Sequence, residues 1–472
     1  SICRTAQTTT AKKLLILQHF SNQKVTTSLT LVVHLATSSV FIATIFMQVE
    51  LFQNSDAPLF GTRANALDQL AKFLPRAGRD YQNNRNFDLG QADHSFVSRL
   101  SPYIRHRILS EDELISTVLR SHSRSAAFKF IQEIFWRTYW KGWLEHRPAV
   151  WETFITEVET ETKAVQAVPV RRRIFEQAIT GTTEIAIFNS WVDELKETGY
   201  LHNHARMWFA SIWIFTLRLP WQLGADFFYN HLLDGDPASN TLSWRWVAGL
   251  QTAGKTYLAT ESNIRKNAAQ RLKGIPDSGR GLEKLATHTF EIQDSLTVEE
   301  KAPSSSQFAE LSSVNIEEHD AVLVTTEDLS TRWLDNANKH VAIFDKTDER
   351  SSETKRKFQQ EAIEDVKHRI AETSSADPEN IRVLHSAHEV SSWVEEHGVK
   401  DLHSSYIPTG EVRSSLAELP TMLESLGHSF YEHLNDYDRT VWPHCRKGFF
   451  QLGKSIDSLI DTLGLDGQRI TR

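Results

Sequence analysis

Four clusters in the first half of the chain combine residue types that do chemistry. Glu133, Trp136, Arg137 and Trp140 stand three and four apart, so a helix puts them on one face. Indoles, a guanidinium and a carboxylate on one face suit a wet pocket, and equally an aromatic core helix whose charges snorkel to solvent. Asn203, Arg206 and Met207 form a second set on one helical turn. His202 and His204 fall on opposite sides of that helix, which argues against zinc ligation. The third is Asp234-Gly-Asp236-Pro-Ala-Ser-Asn240, followed by Trp244-Arg-Trp246. Two carboxylates and an amide can hold sugar hydroxyls and the edge of a flavin or purine, because carboxylates accept while an amide accepts and donates in a fixed plane. A turn of solvated acids is the plain alternative, and the further ligands of a calcium loop are missing. The fourth runs from Tyr81 and Arg85 to Ser98 and Ser101, just before Pro102. Hydroxyls and free N–H groups at a helix start make an anion seat, or simply a cap.

The elements that must position these residues can be read from the rest of the chain. It has 472 residues, 40% apolar and 24% charged, with net charge −8. That length predicts two or three folding units. Two cysteines exclude a disulfide framework and any cysteine-built metal site, and no other metal site is expected. Of 13 tryptophans, ten fall between Trp136 and Trp246. Residues 1–46 carry four basic residues, no acid and 14 Ser or Thr, the composition of an organelle transit peptide or of a translated segment upstream of Met47. They are excluded from the fold. The apolar stretch Leu29–Phe46 is interrupted by six polar residues, so no membrane span is expected.

Residues 47–272 read as helical, with apolar periodicity over Ala64–Leu74, Phe128–Trp143 and Val192–Leu217. Gly274, Pro276, Gly279, Gly281 and the Ser304–Ser306 run mark a linker over 273–317. From 318 to 472 the grammar changes. Ala321–Thr325, His340–Phe344, Ile381–His385, Asp401–Tyr406 and His428–Tyr431 predict five strands. Helices over Glu353–Glu372, Val390–His397 and Arg413–Leu426 alternate with them. This is the pattern of a doubly wound parallel α/β domain, Rossmann-like in class but without a GxGxxG or Walker loop. Charge separates the halves: 29 Lys/Arg against 30 Asp/Glu over 47–300, and 19 against 30 over 301–472. The acidity belongs to the second half, leaving the helical half free to show a basic face to a polyanion.

Together, the clusters over Gly61–Trp246 resemble the FAD-binding helical domain of the photolyase/cryptochrome family, with ungapped spacing from Asn203 through Trp221, Asp234, Asp236, Asn240 and Trp244 to Trp246. The resemblance implies FAD as cofactor. It implies contacts from Tyr81, Val97, Ser98, Arg99, Leu100 and Ser101 to the pyrophosphate, and from Arg137, Arg206, Asp234, Asp236 and Asn240 to the rest of the cofactor. Asn240 matches the residue facing the flavin N5. Trp244 and Trp221 match the first two members of an electron-transfer triad, and Glu133 joins the catalytic set. Arg85, Glu133, Trp136, Asn203, His204, Met207 and Trp246 match positions around a flipped-out cyclobutane pyrimidine dimer, which needs aromatic and apolar walls. The other six tryptophans of the segment are assigned mostly to the core.

Several positions depart from the family pattern. Val97 stands for a threonine, His204 for an arginine, and Leu242-Ser243 for a glycine pair. The third tryptophan of the triad falls at Val168, leaving Trp191 or a tyrosine as outer donor. The α/β half resembles the family's antenna domain, through Ala321–Leu329, Thr440–Pro443 and Gly448-Phe-Phe, but it follows the helical domain instead of preceding it. The implied reading is a circularly permuted, monomeric, light-dependent lyase acting on UV-damaged DNA, with room for a second antenna chromophore of unknown identity. The alternative is a cryptochrome-like blue-light photoreceptor. Either is expected to be soluble and intracellular, and organellar if residues 1–46 are a transit peptide.

Overall fold

The computed structural model describes residues 58–252, 255–294, 315–317, 319–334, 340–374 and 376–467. The leader over 1–46 and the serine-rich part of the linker lie outside them. None of the helices among the described residues is long and apolar enough to cross a membrane.

Three helical runs predicted from periodicity form, with changes. The first is Arg63–Phe73, started by Thr62, whose side chain accepts from the Asn65 N–H. The second is longer than its apolar pattern: α1 (Arg124–Glu145) starts at Ser123, whose hydroxyl accepts from the Ala126 N–H. The third is not one helix. Ala186–Thr198 ends on Gly199 at φ 66°, a left-handed cap that glycine adopts without strain. The chain restarts at α2 (Asn203–Ser211), which widens into a π turn over Ile212–Thr216. Two helices then frame the acidic cluster: α3 (Trp221–His231) and α4 (Pro237–Ala248). Apolar periodicity alone cannot register the αL residue that divides a run.

The second half folds as a five-stranded sheet of order β3-β2-β1-β4-β5, parallel throughout. The strands are β1 (Ala321–Thr325), β2 (His340–Phe344), β3 (Arg382–Leu384), β4 (Leu402–Ser405) and β5 (Phe430–His433). Glu353–Thr373 crosses from β2 to β3 and Ala387–His397 from β3 to β4. The single helix expected over Arg413–Leu426 is two, Glu411–Ser415 and Leu419–Ser425, because Pro420 opens the second and cannot continue the first. Strand order reverses between β1 and β4, which places the topological switch point at their carboxyl ends.

One face of the sheet and the helical half share a core. Val322, Val324, Val341, Ile343 and Phe358 cluster with Tyr103, Phe135, Trp208 and Trp213, while the other face packs on Trp393, Leu419 and Leu423. The last helix, α5 (Phe449–Thr462), returns to pack against α1.

Candidate functional site

A cavity of about 330 Å³, within the ordinary size of a ligand site, opens between α1, α2, α3 and α4. Its walls include Ser101, Glu133, Trp136, Arg137, Asn203, Arg206, Met207, Asp234, Asp236, Asn240, Trp244 and Trp246. The three- and four-residue spacings within α1, α2 and α4 aim these side chains inward. Trp140, on the helical face it shares with Glu133, Trp136 and Arg137, also lines the cavity. Trp143, Trp151, Trp191, Trp208 and Trp213 are buried.

One end of the cavity is charged. Asp236 caps α4: its Oδ1 accepts from the Ser239 N–H at 2.7 Å. Its Oδ2 has cations at 3.5 Å (Arg137), 3.8 Å (Arg105) and 4.0 Å (Lys141), and accepts no hydrogen bond. Burial opposes ionisation there, but Arg137, Lys141 and Arg105 outweigh it and hold the Asp236 carboxyl well below the usual range. Asp234 accepts from Arg206 Nη2 at 2.9 Å through Oδ2 and leaves Oδ1 without a partner. Arg137 Nη1 and the Ser239 hydroxyl are also buried without hydrogen bonds. Four orphaned polar atoms on one wall are the mark of a site shaped for a polar ligand, since each costs about 1–3 kcal/mol if left unmet. Their mix of acceptors, a guanidinium and a hydroxyl fits the hydroxyls and heteroatom edges of FAD. Asn240 donates Nδ2 to the Ala225 carbonyl at 2.8 Å, which fixes the amide plane and leaves Oδ1 as its acceptor.

The other end is aromatic. Trp136 stacks on Phe449 with centroids 3.6 Å apart and leans on Trp140 at 5.3 Å. Trp246 stacks on Tyr257 at 5.7 Å. Glu133, whose pKa burial raises, receives Arg85 Nη1 at 2.5 Å. Trp244 is buried against Phe228, Phe209 and Trp213. It reaches this place because position 224 is glycine: a Cβ there would lie 2.3 Å from the indole.

Other predicted site residues lie away from the cavity. Tyr81 packs edge-on to Phe73 and Phe130, and Val97 packs on the core. The Ser98 hydroxyl already accepts from the Leu100 N–H, Arg99 sits at φ 52° over the Tyr200 ring, and Leu100 is buried. Of that stretch Ser101 lines the cavity. Trp221 lies beneath Arg245 and stacks on Phe154. Val168 is exposed at a helix end, and Trp191 stacks on Trp208 and donates to Asp88. His202 and His204 are not on opposite sides of one helix. His202 caps α2, its Nδ1 accepts from the His204 N–H, and the rings lie 6.1 Å apart.

Sequence reasoning missed the charges that the α/β half sends to this site. Glu327, just past β1, takes both guanidinium nitrogens of Arg105 at 2.7 Å and stands 3.6 Å from Lys141. Arg107, at φ 50°, pairs with Glu111, Asp328 and Asp438. A signal was available: acids at the carboxyl end of the first strand sit where α/β sheets place functional groups. Around this ladder the switch-point crevice keeps a cavity of only about 20 Å³, room for a water molecule or two. A chromophore there would have to displace the Arg105–Glu327 pair.

A helical cavity with a wall of unpaired polar atoms, in a chain that also carries a parallel sheet, has the make-up of a ligand-binding α-helical unit joined to an α/β unit. Residues 130–271 match the family model described as the FAD binding domain of DNA photolyase. Relatives include the deoxyribodipyrimidine photo-lyases of Thermus thermophilus (32% identical over 194 residues, 41% of this chain and 44% of that one) and of Escherichia coli (25% over 196 residues, 41% and 40%). A solved bacterial class III photolyase from Agrobacterium tumefaciens aligns at 25% identity and TM-score 0.37, covering 44% of this chain and 43% of that one. The similarity therefore places a segment related to the FAD binding domain of DNA photolyase at residues 130–271 of this chain. The chain spans about two fifths of the length of the curated relatives it matches.

Proposed function

We propose that this protein is a light-dependent lyase that binds UV-damaged DNA and splits cyclobutane pyrimidine dimers. The observation that carries the reading is the division of one cavity into an orphaned polar wall and an aromatic wall. Bound FAD, in its reduced form, supplies the light-absorbing electron donor. Asp234, Asp236, Arg137, Arg206 and Ser239 bind and orient it. Asn240 Oδ1 is the acceptor for a proton held at the flavin N5. Trp136 and Trp246 stack on the extruded bases, Met207 and Asn203 complete the apolar and polar edges, and Glu133, held by Arg85, hydrogen-bonds the pyrimidine rim. Trp244 and Trp221 form the inner part of an electron path.

The domain reading belongs to the same proposal: a flavin domain over 47–272, a linker over 273–317 and an antenna-like domain over 318–472, in permuted order. The parallel order β3-β2-β1-β4-β5 after the helical domain supports it. The protein works as a monomer.

The test is illumination of reduced, FAD-loaded protein with DNA containing a thymine dimer. Restoration of thymine supports the reading. A flavoprotein that photoreduces but never restores thymine is a photoreceptor, and a chain that takes up no FAD is neither.

A further inference from the structure

Phe450 is the most exposed large apolar side chain among the described residues, at 82%. It is the second residue of α5, and its neighbour Phe449 is buried against Trp136 and Tyr139. Trp136 is itself a wall of the cavity, so this phenylalanine stands one residue away from a group that backs the wall. Adjacent Cα atoms lie about 3.8 Å apart, so the backbone of Phe450 begins one residue from the ring that backs the aromatic wall. An exposed phenylalanine ring is a flat face on which an unstacked base can lie.

The charge around it points to the same partner. Residues 301–472 carry 19 Lys/Arg against 30 Asp/Glu, yet no acid occurs between Asp438 and Asp457. That interval holds Arg439, His444, Arg446, Lys447 and Lys454, of which His444, Lys447 and Lys454 are exposed. Gly448, between Lys447 and Phe449, has nothing within 4 Å of the position a Cβ would take, so the approach is open. A basic, acid-free segment with a projecting ring, inside an acidic half, complements a strand that offers phosphates and an unstacked base face.

We propose that Phe450 is a stacking platform for an unpaired base of the damaged strand, next to the nucleotides held in the cavity, with Lys447 and Lys454 on the flanking phosphates. The proposal rests on the repair reading above and adds a contact from the α/β half. A nucleic acid that is unstacked around the lesion presents such a base, because the bases flipped into the cavity leave their neighbours without stacking partners.

The experiment uses the full, FAD-loaded chain and a fluorescent single strand carrying one thymine dimer, with affinity read by anisotropy across salt concentrations. Phe450→Ala is expected to weaken binding about tenfold, with flavin content and melting temperature unchanged. Phe450→Trp restores the affinity, because stacking needs a ring and not this ring. Lys447→Gln and Lys454→Gln each lower the salt slope by about one. Wild-type affinity in Phe450→Ala overturns the platform and leaves the repair reading standing. A wild-type protein that does not bind the dimer-bearing strand overturns both.

Discussion

The molecule has two crevices built from the same kinds of charge, and they have opposite fates. At the switch point of the sheet, Glu327 and Arg105 face each other in a bidentate pair, and about 20 Å³ is left. In the helical cavity, Asp236, Asp234, Arg137 and Ser239 keep atoms without hydrogen-bond partners around about 330 Å³. A buried ion pair that satisfies itself closes a site, whereas one left incomplete describes a ligand. The two crevices are also joined, since Arg105 and Lys141 serve both Glu327 and Asp236. The α/β half therefore acts on the helical cavity through charge.

Removing Asp236 breaks the comparison at its strongest point. Asp236→Ala leaves Arg137, Arg105 and Lys141 facing the cavity without their shared carboxylate and removes the cap of α4. We expect a loss of about 3–5 kcal/mol in urea unfolding and purification without bound FAD. Retention of a full complement of flavin would show that the cation cluster, not the carboxylate, recognises the cofactor. Glu327→Gln is the matching change in the closed crevice. It costs about 2–3 kcal/mol of stability and weakens FAD binding only a few-fold, read by equilibrium dialysis, because its effect on Asp236 is indirect.

Gly224→Ala tests whether the aromatic packing is as tight as drawn. The added methyl meets the Trp244 indole, and we expect about 1–3 kcal/mol of destabilisation with a shift of near-UV dichroism. Unaltered stability would mean that Trp244 can move freely. The smallest effect is a pH dependence. Burial and the neighbouring Arg105 lower the pKa of His106 to about 3, and its Nδ1 donates to the Thr326 carbonyl at 2.7 Å. Between about 3 and the ordinary value of 6.5 the unfolded chain binds more protons, so stability falls as pH falls through that window. His106→Gln flattens the upper part of it, just below pH about 6.5.

Much of this was legible in the residues. Branched runs marked β1 and β2, alternation with helices marked the other three strands, and Glu133, Trp136, Arg137, Asn203, Met207, Asp236, Asn240 and Trp246 all line one cavity. What escaped had physical reasons. Gly199 and Pro420 divide runs that apolar periodicity reads as continuous. The Ser98 hydroxyl accepts from a local N–H, a contact that residue type and position do not reveal. The Glu327–Arg105 pair joins residues 222 apart in the chain, and no local pattern encodes it.

The most direct test of the central claim, that one cavity has a cofactor wall and a lesion wall, is dimer repair per bound flavin in Trp246→Ala. The account predicts normal FAD content and a repair yield at least tenfold below wild type. Unchanged repair per flavin, or loss of the flavin itself, would contradict the division of the cavity on which the account rests.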